Sequence, residues 1–195
     1  MLFEIHELDH TKVGDFLSKK SSKAIQYAYI DKFGSSDVRI DQALRIFFLS
    51  FYLSDQAEDQ ALENMLAVIT GRWLAANDSA VGFDEEQCYH LVYAIVLLNA
   101  SLHLGYLHQG LPATLADFVG MVRSRDQRCT IKEELLGAIY EAIRDERLLV
   151  PKDFPGHRGL EVQVTGSISP MHFTFRVKSG LINCSTHQLC IPYVQ

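Results

Sequence analysis

An uninterrupted apolar run lies inside the segment DEEQCYHLVYAIVLLNASLH, residues 84–103. Asp84 precedes two glutamates and Gln87, a pattern typical of a helix N-cap with Gln at the third helical position. The middle of the segment, Leu91 to Leu98, is apolar on every side. Such a helix either packs all round or exposes an apolar strip to a partner. We therefore predict a helix that runs to about His103 and belongs to a helical bundle.

The neighbouring segments have the periodicity of amphipathic helices. Residues 41–53 and 62–73 each place their apolar side chains on one face. A shorter helix is predicted around Thr114 to Val122, and residues 130–133 have the pattern of a capping box that begins another helix with Thr130 as its N-cap. Residues 11–149 therefore read as consecutive helices, and the fold class is all-α.

The pattern changes from Pro151 onward. Residues 160–164 and 172–177 alternate apolar and polar side chains and are rich in β-branched and aromatic types. Residues 166–170 supply a turn between them. We predict that residues 152–195 form a small tail that contains a β-hairpin, whose role the sequence does not reveal.

Composition and charge narrow the class of protein. Of the 195 residues, 48% are apolar and 22% are charged, as in an ordinary soluble globular protein. The formal net charge is -6; residues 151–195 carry four basic and two acidic side chains, which leaves -8 on residues 1–150. An acidic body argues against nucleic acid as a partner. It favours a partner with a basic surface, although acidic residues that only improve solvation give the same count.

The sequence predicts a cytoplasmic protein. Its longest strongly apolar run is far shorter than the roughly 20 residues that a membrane-spanning helix needs. The N-terminus has acids where a secretory signal would carry Lys or Arg. Four cysteines are too few for a disulfide scaffold in a chain of this size and suit a reducing compartment.

No cofactor or metal site is predicted. Cys184, His187 and Cys190 offer three zinc ligands, but a structural zinc site needs four and only His157 or His172 is nearby. Scattered hairpin residues are the better interpretation. No pairing of a nucleophile with a base supports a hydrolase.

Several short motifs follow one another in a fixed order. They are Gly14-Asp15-Phe16-Leu17, Gln42-Ala43-Leu44-Arg45, Phe51-Tyr52-Leu53, Glu58 to Met65, Arg72-Trp73, Leu98-Asn99-Ala100-Ser101-Leu102-His103, and Tyr140 with Ile143, Arg144 and Glu146. Together they resemble the Sec-seven (Sec7) domain, the exchange-factor module of cytohesins and of the large Golgi Arf activators. The resemblance covers about residues 7–151 and lacks the helices that usually precede residue 7. It implies an elongated right-handed helical bundle or superhelix.

The resemblance implies a function that depends on Glu58. The partner would be a small Arf-type GTPase, in its GDP-bound and nucleotide-free forms, and the chain would be an exchange factor that makes no covalent bond. Glu58 would be the catalytic finger and Glu63 the acidic residue one turn later. Judged without the resemblance, Glu58 is one of three acids in residues 55–59 and reads as a solvated loop residue.

The finger needs a groove that receives the GTPase. Tyr89, Tyr93, Val96 and Leu97 share a broad face of the apolar helix and are predicted to line it; simple core packing is the alternative for each. Two further residues assigned to GTPase binding, Asn99 and His103, either shape the lip of the groove or cap local backbone.

Departures from the family pattern motivate a second hypothesis, a Sec7-like scaffold that binds the GTPase with little or no exchange activity. Tyr52 replaces an Arg, Leu104 replaces an Asn, and two extra residues lie between Leu53 and Glu58. Peripheral association with a Golgi, endosomal or plasma membrane is compatible with the family. The sequence leaves the oligomeric state open.

Overall fold

The computed structural model describes residues 12–33, 35–50, 60–104, 110–124 and 129–150, together with three strands in the segment 161–185. Side chains are described in these ranges, except those of residue 20, residues 78–81 and the strands. The described α-helices are α1 (Val13–Leu17), α2 (Lys23–Ile30), α3 (Ile40–Ser50), α4 (Gln60–Val81), α5 (Glu85–His103), α6 (Leu115–Ser124) and α7 (Glu133–Asp145). Short 3₁₀ turns occupy Lys20–Ser22 and Asp31–Phe33. The prediction of consecutive helices between residues 11 and 149 is confirmed for the described part of that range.

The chain divides into two compact units. The first comprises Met1–Gly34, Ile46–Leu62 and Leu149–Gln195. Its helical core includes Leu17, Ile30 and Phe47, which are at most 1% exposed. The Tyr29 hydroxyl donates a hydrogen bond of 2.5 Å to the Ser50 carbonyl, which connects α2 to the end of α3 within this unit.

The strands of the first unit are β1 (Glu161–Val164), β2 (His172–Val177) and β3 (Gly180–Ser185). They form an antiparallel sheet in the order β1-β2-β3. Phe175 of β2 lies opposite Val162 on one side and Ile182 on the other. The central strand is therefore paired along both of its edges.

The second unit comprises Ser35–Arg45 and Glu63–Leu148. Helices α5, α6 and α7 pack against one another in it. Large side chains from all three helices are fully buried in their common core: Leu91, Ile95, Leu98, Phe118, Leu136, Ile139 and Ile143. Gly82, with a positive φ of 67°, follows the last residue of α4 and allows the chain to turn into α5.

Arg45, the last residue of the Gln-Ala-Leu-Arg motif in α3, joins that helix to the end of α7. Its buried guanidinium donates hydrogen bonds to the carbonyls of Ala142 (2.7 Å), Glu146 (2.7 Å) and Arg147 (2.9 Å). These carbonyls lie at the end of α7, where a helix has unpaired acceptors and a partial negative charge. Arg45 therefore caps α7 from α3.

The sequence predicted N-terminal caps for α5 and α7, and the structure has only the first of them. The predicted cap of α5 is confirmed, because an Asp84 carboxylate oxygen accepts a 2.9 Å hydrogen bond from the Gln87 backbone N–H. The predicted capping box at Thr130 is wrong, since α7 begins only at Glu133. The Thr130 hydroxyl instead lies 3.0 Å from both the Gly82 carbonyl and the Gln87 side-chain oxygen. A tertiary contact has replaced the local one.

Candidate functional site

Helix α5 has two different sides. Leu91, Val92, Ile95 and Leu98 are fully buried. Tyr89, Tyr93, Val96 and Leu97 are only partly buried. Of the two alternatives that the apolar run allowed, the structure therefore has the second: one side of the helix packs into the core, and the other is left partly open to solvent.

The open side of α5 forms one wall of a cavity of about 280 Å³. Helix α4 contributes Glu63 and helix α6 contributes Met121. The residues from α5 recur at spacings of three and four, so they lie on one helical face; they are Tyr89, His90, Tyr93, Ala94 and Leu97. The structure thus brings four of the predicted GTPase-binding residues, Glu63, Tyr89, Tyr93 and Leu97, into a single cavity.

The two tyrosines of this wall stack on each other. Their ring centroids are 6.5 Å apart and their planes differ by 20°, which is a stacked arrangement. Tyr89 also contacts the ring of His90, with centroids 6.4 Å apart. Aromatic side chains have few rotatable bonds, so a stacked pair offers a large contact area at a low cost in entropy.

The surroundings of Tyr89 raise the pKa of its phenol. Partial burial is the largest cause, followed by the Glu63 carboxylate and the nearby Tyr93. Glu63 is exposed in the first turn of α4, where the helix dipole favours a negative charge. The cavity is consequently an aromatic and apolar depression with a carboxylate in its lining.

Asn99 and His103 point to another part of the unit. The Asn99 side-chain oxygen accepts a 2.7 Å hydrogen bond from the Leu148 backbone N–H. His103 Nε2 lies 2.6 Å from the Ile143 carbonyl oxygen, so this nitrogen carries the proton and donates it. These contacts join α5 to α7 and the residues after it. Neither side chain lines the cavity, nor does that of Val96.

Three cavity residues are absent from the sequence prediction. His90 and Ala94 follow the two tyrosines on the same helical face, so the helical period could have identified them. Met121 comes from α6, and no local pattern connects it to α5. Within the part of the chain that the structure describes, His90 Nδ1 is a buried nitrogen without a hydrogen-bond partner.

The predicted catalytic residue, Glu58, lies outside the described residues, as does Tyr52. The nearest described part of the chain is the start of α4 at Gln60. Leu104, which replaces the Asn of the family pattern, directly follows α5 and is 50% exposed.

The described residues contain neither a metal-binding cluster nor a membrane-spanning helix. No group of three or more His, Cys, Asp and Glu side chains in these ranges could hold a metal ion. None of the described helices combines the length and the hydropathy of a membrane span. Of the three possible zinc ligands considered in the sequence, His187 and Cys190 lie outside the described residues, and Cys184 is in β3, whose side chains are not described.

Comparison with known proteins identifies relatives along most of the chain. The family model of the Sec7 domain matches residues 1–148. Human Cytohesin-2 is 31% identical over 154 residues, which are 78% of this chain and 37% of Cytohesin-2. The match therefore spans less than half of the length of that curated relative.

Solved structures have the same fold. The crystal structure of the Sec7p catalytic domain matches with a TM-score of 0.63 at 25% identity. The match covers 75% of this chain and 76% of the Sec7p chain. A structure of ARF1–GDP bound to a Sec7 domain complexed with brefeldin A has a TM-score of 0.65 at 21% identity, and the match covers 78% of this chain and 75% of that one.

Proposed function

The chain belongs to the Sec7 domain family, and from this premise we propose that it is a guanine-nucleotide exchange factor for a small Arf-type GTPase. The partner class is suggested by a relative of the same fold whose structure contains ARF1–GDP. The GTPase would be bound in its GDP form and then held in its nucleotide-free form.

The observation that carries this proposal is the open side of α5. The stacked tyrosines and the leucine lie in a depression instead of the core, and a concave pocket lined by aromatic and apolar side chains with a few polar groups is the usual form of a binding site. Aromatic residues in a largely preformed pocket are typical anchors of an interface. The groove-binding role of Glu63, Tyr89, Tyr93 and Leu97 is therefore the part of the proposal that the cavity supports most directly.

Asn99 and His103 contribute differently in this proposal. Their hydrogen bonds hold α5 on α7 and on the chain after it. They would act as positioning residues that keep the tyrosine wall in place. Val96, partly exposed next to the wall, would contact the GTPase at the edge of the groove.

Glu58 is the proposed catalytic finger. Its carboxylate would occupy the region of the Mg²⁺ ion and the β-phosphate in the GTPase, repel the phosphate and pair with the lysine that had held it. Two unit charges about 4 Å apart interact by roughly 4 kcal/mol at an effective dielectric constant near 20. Because each ~1.4 kcal/mol changes a rate about tenfold, one carboxylate can account for two to three decades of acceleration.

Release of mant-GDP from several Arf-type GTPases tests this proposal. Wild-type protein should accelerate release, and Glu58→Lys should lose roughly two to three decades of that acceleration. Asp59→Lys makes the same change of charge at the next position and should retain most of the activity. Equal rates for wild type and Glu58→Lys would show that another acid is the finger, with Asp55 or Asp59 next in order.

The second candidate is a scaffold that binds the GTPase without efficient exchange. The exposed Leu104 favours it, because an apolar side chain replaces an amide directly after the groove helix. Binding of the nucleotide-free GTPase by wild type without faster mant-GDP release would select the scaffold over the exchange factor. Leu104→Asn would then be expected to restore part of the exchange rate.

Three further features belong to this proposal. The Sec7-type domain would extend over residues 7–151, and residues 152–195 would be a small tail that contains a β-hairpin. The protein would work in the cytoplasm. Peripheral contact with a membrane would bring it to its GTPase.

A further inference from the structure

The outward side of α2 has an unusual composition for a surface helix. Gln26, Tyr29 and Ile30 are buried, which defines the inward side. The exposed residues of this helix are Lys23, Ala24, Ile25 and Ala28, and the helix contains no acidic residue. Outward sides of such helices are ordinarily charged or polar. Here the outward side is apolar with a lysine at its edge.

A second apolar side chain lies close by in α1. Phe16 is 46% exposed and Ile25 is 43% exposed, and both are among the few large apolar residues of the described chain that are this open. The Ser22 hydroxyl donates a 3.1 Å hydrogen bond to the Phe16 carbonyl, which places the Phe16 backbone at the first turn of α2. The two exposed residues therefore belong to adjoining parts of the backbone.

The backbone under this surface is firmly held. The buried Gln26 amide donates hydrogen bonds to the carbonyls of Leu17 and Lys19, the second of 3.0 Å. The Lys19 backbone N–H donates a 3.3 Å hydrogen bond to the Phe16 carbonyl. The end of α1, the connecting turn and α2 thus form a preformed structure.

The same segment is basic in an acidic protein. Residues 12–33 contain five lysines and two aspartates, a charge of +3, and residues 1–11 contain three acids and no Lys or Arg. Lys12, Lys19 and Lys23 are all exposed. The Lys23 ammonium is 5.6 Å from the centroid of the Tyr27 ring, a distance that allows a cation–π contact. Positive charge and exposed apolar side chains occur together in this segment.

We propose that the α1–α2 surface, formed by Phe16, Ile25 and the lysines Lys12, Lys19 and Lys23, docks onto an anionic lipid bilayer. Its charge is complementary to anionic headgroups, and lysines near such a membrane each add to the attraction. Phe16 and Ile25 would enter the boundary between headgroups and acyl chains, as apolar residues of interfacial helices do. The proposal is independent of the exchange activity, because none of its residues lines the groove.

Sedimentation of the full chain with vesicles tests the proposal. The protein should bind vesicles of phosphatidylcholine that contain phosphatidylserine, and should not bind pure phosphatidylcholine. Added salt should weaken the binding, because it screens the headgroup charge. The double variant Lys19→Gln/Lys23→Gln should bind at least about tenfold more weakly. Ile25→Ser should weaken binding at every salt concentration.

Lys132→Gln is the matched control, since it removes an exposed lysine elsewhere in the chain; it should bind as wild type does. No binding to either kind of vesicle, or equal binding by the lysine double variant, would overturn the proposal. A loss of self-association in Ile25→Ser would also overturn the proposal, since it would assign the surface to a second copy of the chain.

Each variant should release mant-GDP from a GTPase without a lipid anchor at the wild-type rate when vesicles are absent. Failure of membrane docking is thereby separated from failure of the exchange function.

Discussion

Leu97 and Leu98 are neighbours on α5, yet they belong to opposite kinds of environment. Leu98 is fully buried with α6 and α7 in the core of its unit, whereas Leu97 lines the open cavity with Tyr93. Burying an apolar side chain stabilises the fold by about 1.5–3 kcal/mol. A side chain that is left partly exposed can bury its remaining apolar area against a partner, and that burial stabilises the complex. One side of the helix therefore stabilises the protein, and the other is available for binding.

The largest expected effect is on the packed side. Leu98→Ala should lower the free energy of unfolding by about 2–5 kcal/mol, because it removes core contacts and leaves a cavity. Urea unfolding monitored by circular dichroism measures this change. The matched variant Leu97→Ala should cost much less stability. Equal losses in the two variants would mean that both leucines serve the core.

The next largest effect is expected on the open side. Tyr93→Ala should weaken binding to the nucleotide-free GTPase by about 2 kcal/mol, or roughly thirtyfold, if the stacked tyrosines anchor the interface. Binding measured by titration calorimetry gives the affinity, and the urea midpoint should change little. A Tyr93→Ala protein that binds normally but unfolds easily would assign the tyrosine to folding instead.

A smaller effect is expected where α5 is joined to the chain after α7. Asn99→Ala removes the acceptor of the buried Leu148 N–H and should lower stability by about 1–2 kcal/mol. Hydrogen exchange provides a local measurement, because the Leu148 amide should be protected in wild type and exchange faster in the variant. Unchanged protection of that amide would contradict the assigned role.

The smallest expected effect is a change in the pKa of Tyr89 on the open side of α5. Glu63→Gln should lower the pKa of Tyr89, because it removes the second of the causes that raise it. Phenolate absorbance as a function of pH, with Tyr89→Phe as the reference, measures the shift. Since the folded-state pKa exceeds the unfolded value of about 10, the contribution of Tyr89 to stability is intact below pH 10 and is lost as the pH rises above it. If the pKa of Tyr89 does not change in Glu63→Gln, Glu63 does not contribute to the raised pKa of Tyr89.

The sequence predicted the helices better than it predicted their ends. The boundaries of α5 follow from the Asp84 cap and the apolar run, which are both local features. Thr130 has the same local pattern, but its hydroxyl is engaged by Gly82 and Gln87 from distant parts of the unit. A cap depends on what else the side chain can reach, and that is determined by tertiary contacts.

The same limit applies to the candidate site. The order of motifs and the helical period predicted Glu63, Tyr89, Tyr93 and Leu97, which the fold brings into one cavity. The period also contains His90 and Ala94, which went unpredicted because neither residue type stands out in an apolar helix. Met121 became visible only once α6 had been placed against α5.

Local sequence alone determined that this protein is built from helices, because periodicity and capping are interactions between residues a few positions apart. Its ordered motifs also determined the family to which the chain belongs. Only the tertiary structure decided which side of α5 stays open. Apolar residues surround the whole of that helix, so its own sequence favours burial on every side equally. The open side is the one that α6 and α7 do not fill, since α6 only borders its cavity with Met121. The positions of those helices depend on contacts between residues far apart in the chain.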